Sequence, residues 1–183
     1  MELVFVTGNK RKFEEAREIL GDVGIDIAWK NIDLKEIQAD SLEEIAKEKA
    51  IDAYEKLREP CFVEDAGLFV KALNNFPGQY SKFVLNTIGY EGIIKLMKNE
   101  MDRTAEFRAV IAFTDGKEVK TFKGVVKGKI ALKPSGESGF GFDPIFIPNG
   151  YEKTFADDPV TKNRISHRRN ALLAFKEWLI SNK

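Results

Sequence analysis

The chain has 183 residues, 43% hydrophobic and 32% charged, the balance of an ordinary soluble globular protein and enough for one compact domain over 1–183. Its 29 Lys and Arg cancel its 29 Asp and Glu, so no global field draws in nucleic acid or a membrane surface, and any anion site must come from a local cluster. The single cysteine, Cys61, excludes an internal disulfide, and no apolar run reaches the ~18–20 residues that span a bilayer, so a cytoplasmic protein is expected.

Residues 2–6 read as a buried strand that runs into Thr7-Gly8-Asn9 and then a helix, with Phe13, Ala16, Ile19 and Leu20 at helical spacing and Gly21 as a stop. A second strand is expected over Trp29–Leu34. Ser41-Leu-Glu-Glu44 has the capping-box pattern, and behind it Leu42, Ile45, Ala46, Ala50, Ala53, Tyr54 and Leu57 form one helical face as far as Pro60. Cys61–Val63 is a further buried strand, ending at Glu64-Asp65-Ala66-Gly67. Asn74-Asn-Phe-Pro-Gly78 is turn chemistry, and Tyr80–Met97 reads as helix interrupted near Gly89. Ala105–Thr114 and Glu118–Val126 are strands of a hairpin that turns at Asp115-Gly116. A polar loop covers Lys133–Gly139. A closing helix over about residues 167–180 buries Ala171, Leu172, Phe175, Trp178 and Leu179. An antiparallel hairpin after strand–helix units makes this an α/β fold with a mixed sheet flanked by helices.

Four segments carry chemistry. Thr7, Gly8, Asn9, Lys10, Arg11 and Lys12 form a strand–turn–helix start, where unpaired N–H groups and lysines suit phosphate; the same residues also read as a solvated helix start. The P-loop pattern is absent. Glu64 and Asp65 stand where open α/β sheets place ligands, and hard carboxylate oxygens suit Mg²⁺; Glu36, in its own loop, is a third acid. Asp65 as a turn cap is the bland alternative. Gly139-Phe140-Gly141-Phe142-Asp143-Pro144 breaks any core strand, so either a planar base stacks on Phe140 or Phe142, or the phenylalanines pack inward around a tight bend. His167 and Arg168 offer donors to a purine carbonyl edge, and Lys162 fits phosphate, base edge or solvent alike. The lone histidine, with basic neighbours, makes a serine or cysteine triad or a zinc site a poor fit.

In order, Thr7-Gly-Asn-Lys10, Glu36, Glu64-Asp-Ala-Gly67, Phe76-Pro-Gly78, Gly139-Phe-Gly-Phe-Asp-Pro144, Thr154-Phe-Ala156 and Ser166-His-Arg168 resemble the inosine triphosphate pyrophosphatase family over essentially the whole chain. The resemblance implies an elongated fold with two lobes around a nucleotide-binding cleft, as in the related Maf-like proteins, and a homodimer. It implies Mg²⁺-dependent hydrolysis of ITP, dITP and XTP to the nucleoside monophosphate and pyrophosphate. Thr7–Lys12 would then hold the triphosphate, and Glu36 and Asp65 the metal, with Glu64 a further possible ligand. Asp65 would also accept the proton of the attacking water. Ala66, Phe140, Gly141, Phe142, Asp143 and Lys162 would line the substrate pocket, and His167 and Arg168 would read the base. Ala156-Asp157-Asp158 and segment 79–90 depart from the common family pattern. The competing readings are a Maf-like pyrophosphatase for pyrimidine or modified nucleotides and a nucleotide-binding module without catalysis. Single-stranded nucleic-acid binding is a third, disfavoured by the zero net charge.

Overall fold

The computed structural model describes residues 3–182. Its strands are β1 (Leu3–Val6), β2 (Ile27–Lys30), β3 (Cys61–Val70), β4 (Thr104–Thr114), β5 (Val119–Ile130) and β6 (Phe146–Pro148). Its α-helices are α1 (Lys10–Gly21), α2 (Leu42–Leu57), α3 (Ser81–Thr87), α4 (Gly89–Leu96), α5 (Pro159–Ile165) and α6 (His167–Ser181). The strands form one sheet in the order β2-β1-β3-β4-β5-β6, with β1 parallel to β2 and β3, and β5 antiparallel to β6. The mixed α/β sheet expected from the sequence is present. Glu2, placed in the first strand by the sequence reading, lies outside the described residues.

Several local expectations hold because their chemistry is local. The Ser41 side chain accepts from Glu44 N at 3.2 Å and starts α2, whose buried residues are Leu42, Ile45, Ala46, Ala50 and Ala53. The α3–α4 break falls at Gly89, whose φ of 65° a side-chain-bearing residue would resist. Two expectations need correction. The second strand is Ile27–Lys30, not Trp29–Leu34, because its partner β1 ends at Val6 opposite Lys30 and leaves no edge to pair with. The third strand does not end at Glu64-Asp65 but continues to Val70, since apolar residues resume at Leu68 and Val70. Gly67 permits this: a Cβ there would lie 2.2 Å from the Gly78 carbonyl oxygen. Strand β6 and helix α5 were not expected. Helix α5 does carry a readable start, Asp158 capping Thr161 N at 2.9 Å with Pro159 behind it.

The chain packs as two compact units. The first comprises Met1–Asp65, Ala109–Gly124 and Arg168–Lys183. Its core is aromatic: Phe5 stacks on Phe62 at 4.3 Å, and Phe175 of α6 meets Phe62, Phe113, Phe122 and Trp178. Cys61 is fully buried there, and burial together with the Glu59 charge pushes its thiol up to about 11, which removes it as a nucleophile at neutral pH. The second unit comprises Ala66–Arg108 and Val125–His167, with Leu68, Ile93, Met97, Phe107, Phe146 and Phe155 at its centre. No helix among the described residues is long and apolar enough to cross a membrane.

Truncating the ring that joins the first unit's aromatic core should cost about 3–5 kcal/mol, the range for buried Phe→Ala. Urea unfolding of Phe175→Ala should show a lower midpoint with an unchanged slope; a loss under about 1 kcal/mol would mean the core closes over the gap.

Candidate active site

In the first unit β1 delivers Thr7 to the start of α1. Asn9 caps that helix, its Oδ1 accepting from Arg11 N at 3.0 Å and Lys12 N at 3.3 Å, while Thr7 Oγ1 accepts from Asn9 N at 3.1 Å. Three backbone donors that the sequence reading offered to phosphate therefore already have acceptors inside the loop. What the loop presents outward is positive charge, on the exposed Lys10 and Arg11. Strand β2 braces the loop from the side. The Trp29 indole N–H donates to the Thr7 carbonyl at 2.7 Å with its ring stacked on Phe13, and Asn31 Oδ1 lies where a Cβ on Gly8 would be 3.2 Å away.

Because Glu64 and Asp65 are neighbours within β3 rather than beyond its end, their side chains leave opposite faces. They meet different cations. The Glu64 side chain is 1% exposed and has Lys12 Nζ at 2.6 Å and Arg168 Nε at 3.4 Å. The Arg168 guanidinium also donates from Nη1 to Glu15 Oε2 at 2.9 Å. Burial opposes the Arg168 charge, but Glu64 and Glu15 more than offset it and raise its pKa. Arg168, expected to read a base edge, is thus committed to two carboxylates of its own unit.

Asp65 belongs to a second cluster. Lys49 Nζ donates to Asp65 Oδ1 at 2.7 Å and to Glu36 Oε1 at 3.3 Å, bridging two of the acids that the sequence assigned to metal. Burial works against the Lys49 charge, but Asp65 and then Glu36 outweigh it and raise its pKa above the ordinary lysine value. That stabilisation is intact below the unfolded lysine pKa and is lost only as pH rises through the raised folded value. Asp65 Oδ2 is buried and has no hydrogen-bond partner.

The second unit holds the glycine-aromatic turn. Asp143 Oδ2 accepts from Phe140 N at 2.8 Å and from Lys162 Nζ at 2.6 Å, closing the turn on itself. A Cβ on Gly139 would lie 2.4 Å from that carboxylate oxygen, and its φ of 84° is likewise one for glycine. Lys162 and Asp143 are a buried pair, 8% and 4% exposed at their side chains, and the Lys162 ammonium sits 4.8 Å from the Phe140 ring centroid. Phe140 is 37% exposed, whereas Phe142 is part of the core. Phe142 therefore follows the inward-packing reading, while the Phe140 ring keeps an exposed face. His167 is buried with its ring stacked on Phe107 at 4.7 Å, and Ala66 is half-buried in β3.

Three contributors escaped the sequence reading: Lys49, Glu15 and Trp29. Lys49 left a signal. It interrupts the stripe Ala46, Ala50, Ala53 at core-facing spacing, and a lysine there requires a buried partner. Glu15 and Trp29 left none, since their partners lie 153 and 22 residues away in sequence.

The Glu36–Asp65 pair fits a hard divalent cation. An orphaned buried oxygen on Asp65 and a nearby exposed carboxylate surround a position already attractive to an ammonium group. No group of three or more metal-ligating side chains occurs among the described residues.

Similarity to known proteins extends over essentially the whole chain. The Ham1 family profile matches residues 3–178. The dITP/XTP pyrophosphatase of Thermococcus kodakarensis is 50% identical over 183 residues, 100% of this chain and 99% of that protein. The dITP/XTP pyrophosphatase of Methanopyrus kandleri is 49% identical over 184 residues, 100% of this chain and 98% of that protein. Among solved structures, the Staphylococcus aureus Ham1 protein superimposes with a TM-score of 0.88 at 33% identity, covering 100% of both chains. The family expected from the order of the motifs is borne out, and the chain belongs to the Ham1 family.

Proposed function

We propose that this chain is a nucleoside triphosphate pyrophosphatase that hydrolyses dITP, XTP and ITP to the monophosphate and pyrophosphate. The observation that carries this reading is the Glu36–Lys49–Asp65 cluster, which combines a cation for phosphate with carboxylates for metal and water. The names of the relatives supply the base class.

In this reading Lys10 and Arg11 attract the triphosphate to the Thr7–Lys12 loop, and Lys49 turns its ammonium to phosphate oxygens. Mg²⁺, held by Asp65 and Glu36 with phosphate oxygens, would neutralise charge on the triphosphate and on departing pyrophosphate. Asp65 orients water toward the α-phosphorus and takes its proton. The water oxygen bonds to that phosphorus as the bond to the bridging oxygen breaks, and pyrophosphate leaves with the electron pair. Glu64, neutralised by Lys12 and Arg168, fixes the strand that carries Asp65. Taken by itself, the second unit offers the exposed Phe140 ring and the Lys162 ammonium, groups suited to a purine face and its carbonyl edge. Adenine presents an amino donor there instead and is disfavoured. A homodimer and a cytoplasmic setting belong to the same reading.

The direct test is pyrophosphate release from ITP, dITP, XTP, ATP, GTP and UTP, with and without Mg²⁺. Magnesium-dependent turnover of the first three, with little of the others, is expected. Faster turnover of UTP, or orthophosphate as the product, would refute the assignment.

Asp65→Asn should lower kcat by about 10²–10⁴-fold, the usual contribution of a general base, with thermal stability retained. Activity near that of the parent would remove Asp65 from proton transfer. Lys49→Met should cost about 10²–10³-fold in kcat/KM, as expected for a lost donor to a phosphoryl transition state; a change in KM alone would limit Lys49 to binding. Trp29→Phe keeps the ring against Phe13 but deletes the N–H to Thr7, so KM should rise about 3–10-fold with kcat unchanged. An unaltered KM would show that the loop holds its shape without that bond.

A further inference from the structure

Glu36 lies in a stretch without regular structure, residues 31–39, between β2 and α2. Its side chain is 62% exposed, so little packing locates it. Lys49 of α2 reaches its carboxylate, and the backbone on its N-terminal side is tied to α2 as well. Asp52 Oδ2 accepts from Lys35 N at 2.8 Å. Lys56 Nζ donates to the Asp33 carbonyl at 2.7 Å and to Asp52 Oδ2 at 2.8 Å. Lys49, Asp52 and Lys56 follow one another at helical spacing along a single face of α2. One rigid helix therefore holds the Asp65 partner Lys49 and, one and two turns on, the two groups that fasten the Glu36 segment.

An irregular segment is entropically costly to fix, and here two side-chain-to-backbone bonds fall within three residues of Glu36. Bonds at Asp33 and Lys35 set the direction in which Glu36 leaves the chain. We propose that Asp52 and Lys56 are positioning residues that clamp the Asp33–Lys35 backbone to α2 and so present Glu36 beside Asp65 as a divalent-cation ligand. The inference rests on the reading of Glu36 and Asp65 as metal-holding residues. Neither Asp52 nor Lys56 touches substrate or metal in it.

The test uses the full chain with Asp52→Ala, Lys56→Met, Glu36→Ala and the Asp52→Ala, Glu36→Ala double variant. It reads two quantities: amide hydrogen exchange of residues 33–37, and the Mg²⁺ concentration giving half-maximal turnover of XTP. Asp52→Ala and Lys56→Met should each speed exchange of that segment by about tenfold or more. They should raise the half-maximal Mg²⁺ concentration about 3–10-fold, with kcat at saturating Mg²⁺ within about twofold of the parent. Once Glu36 is absent, Asp52→Ala should add no further shift in the Mg²⁺ requirement, which a merely structural role would not predict. Unchanged exchange would overturn the clamp. An equal Mg²⁺ shift in the Glu36→Ala background would overturn its action through Glu36. If Glu36→Ala itself leaves the Mg²⁺ requirement unaltered, the metal reading fails and the positioning role with it, whatever the exchange shows. Asp52→Asn keeps an acceptor for Lys35 N and should fall between the parent and Asp52→Ala.

Discussion

The burial of the Glu64 carboxylate is the constraint around which the first unit is built. An ionised carboxylate removed from water is tolerated only beside compensating charge, and Glu64 has Lys12 and Arg168. Arg168 in turn meets Glu15, so two buried charges, Glu64 and Arg168, are flanked by the half-buried Lys12 and Glu15, two acids with two bases. These residues come from α1, β3 and the start of α6, three elements far apart in sequence. Removing Glu64 or Arg168 would strand the other's charge in the interior, which typically costs about 3–5 kcal/mol, a large part of a domain's stability. The arrangement also explains why adjacent acids of one strand have different tasks. With Glu64 anchored on one face, strand geometry turns Asp65 to the other, toward Lys49.

The second unit solves a related problem on a smaller scale. Asp143 is buried, and its carboxylate gathers the Phe140 amide and the Lys162 ammonium within a single turn. The result is an aromatic ring left exposed on a backbone that has little freedom to move. In both units, buried charge pairs hold a group in place: Asp65, with its buried Oδ2, in one, and the half-exposed Phe140 ring beneath Lys162 in the other. Such preorganisation is what binding and catalysis require of a site, since the groups need not be reordered when a ligand arrives.

The sequence made local chemistry legible. The Ser41 cap and the Gly89 break depend on neighbours in the chain and appear where the residues call for them, and on α6 the expected buried face holds at Ala171, Leu172 and Phe175 but leaves Trp178 and Leu179 half-buried. Pairing partners were not legible. The second strand stops at Lys30 because β1 has ended, a fact that residues 29–34 do not contain. Glu64 and Asp65 were identified as a pair, yet their separation into two clusters follows from β3 continuing past them. Arg168 was singled out for its donors, while its partners, Glu15 and Glu64, stand about 150 and 100 residues earlier. Phe140 and Phe142 were equal candidates for stacking until the core claimed one. Lys49 was the most readable omission, a charge set inside an apolar helical stripe.

The measurement that bears most directly on the central claim is the position of solvent oxygen in the products. Hydrolysis of XTP in ¹⁸O-enriched water should place one heavy oxygen in the nucleoside monophosphate and none in pyrophosphate, as attack at the α-phosphorus requires. Heavy oxygen in pyrophosphate would mean attack at the β-phosphorus, and the roles given to Asp65 and Lys49 would have to be abandoned.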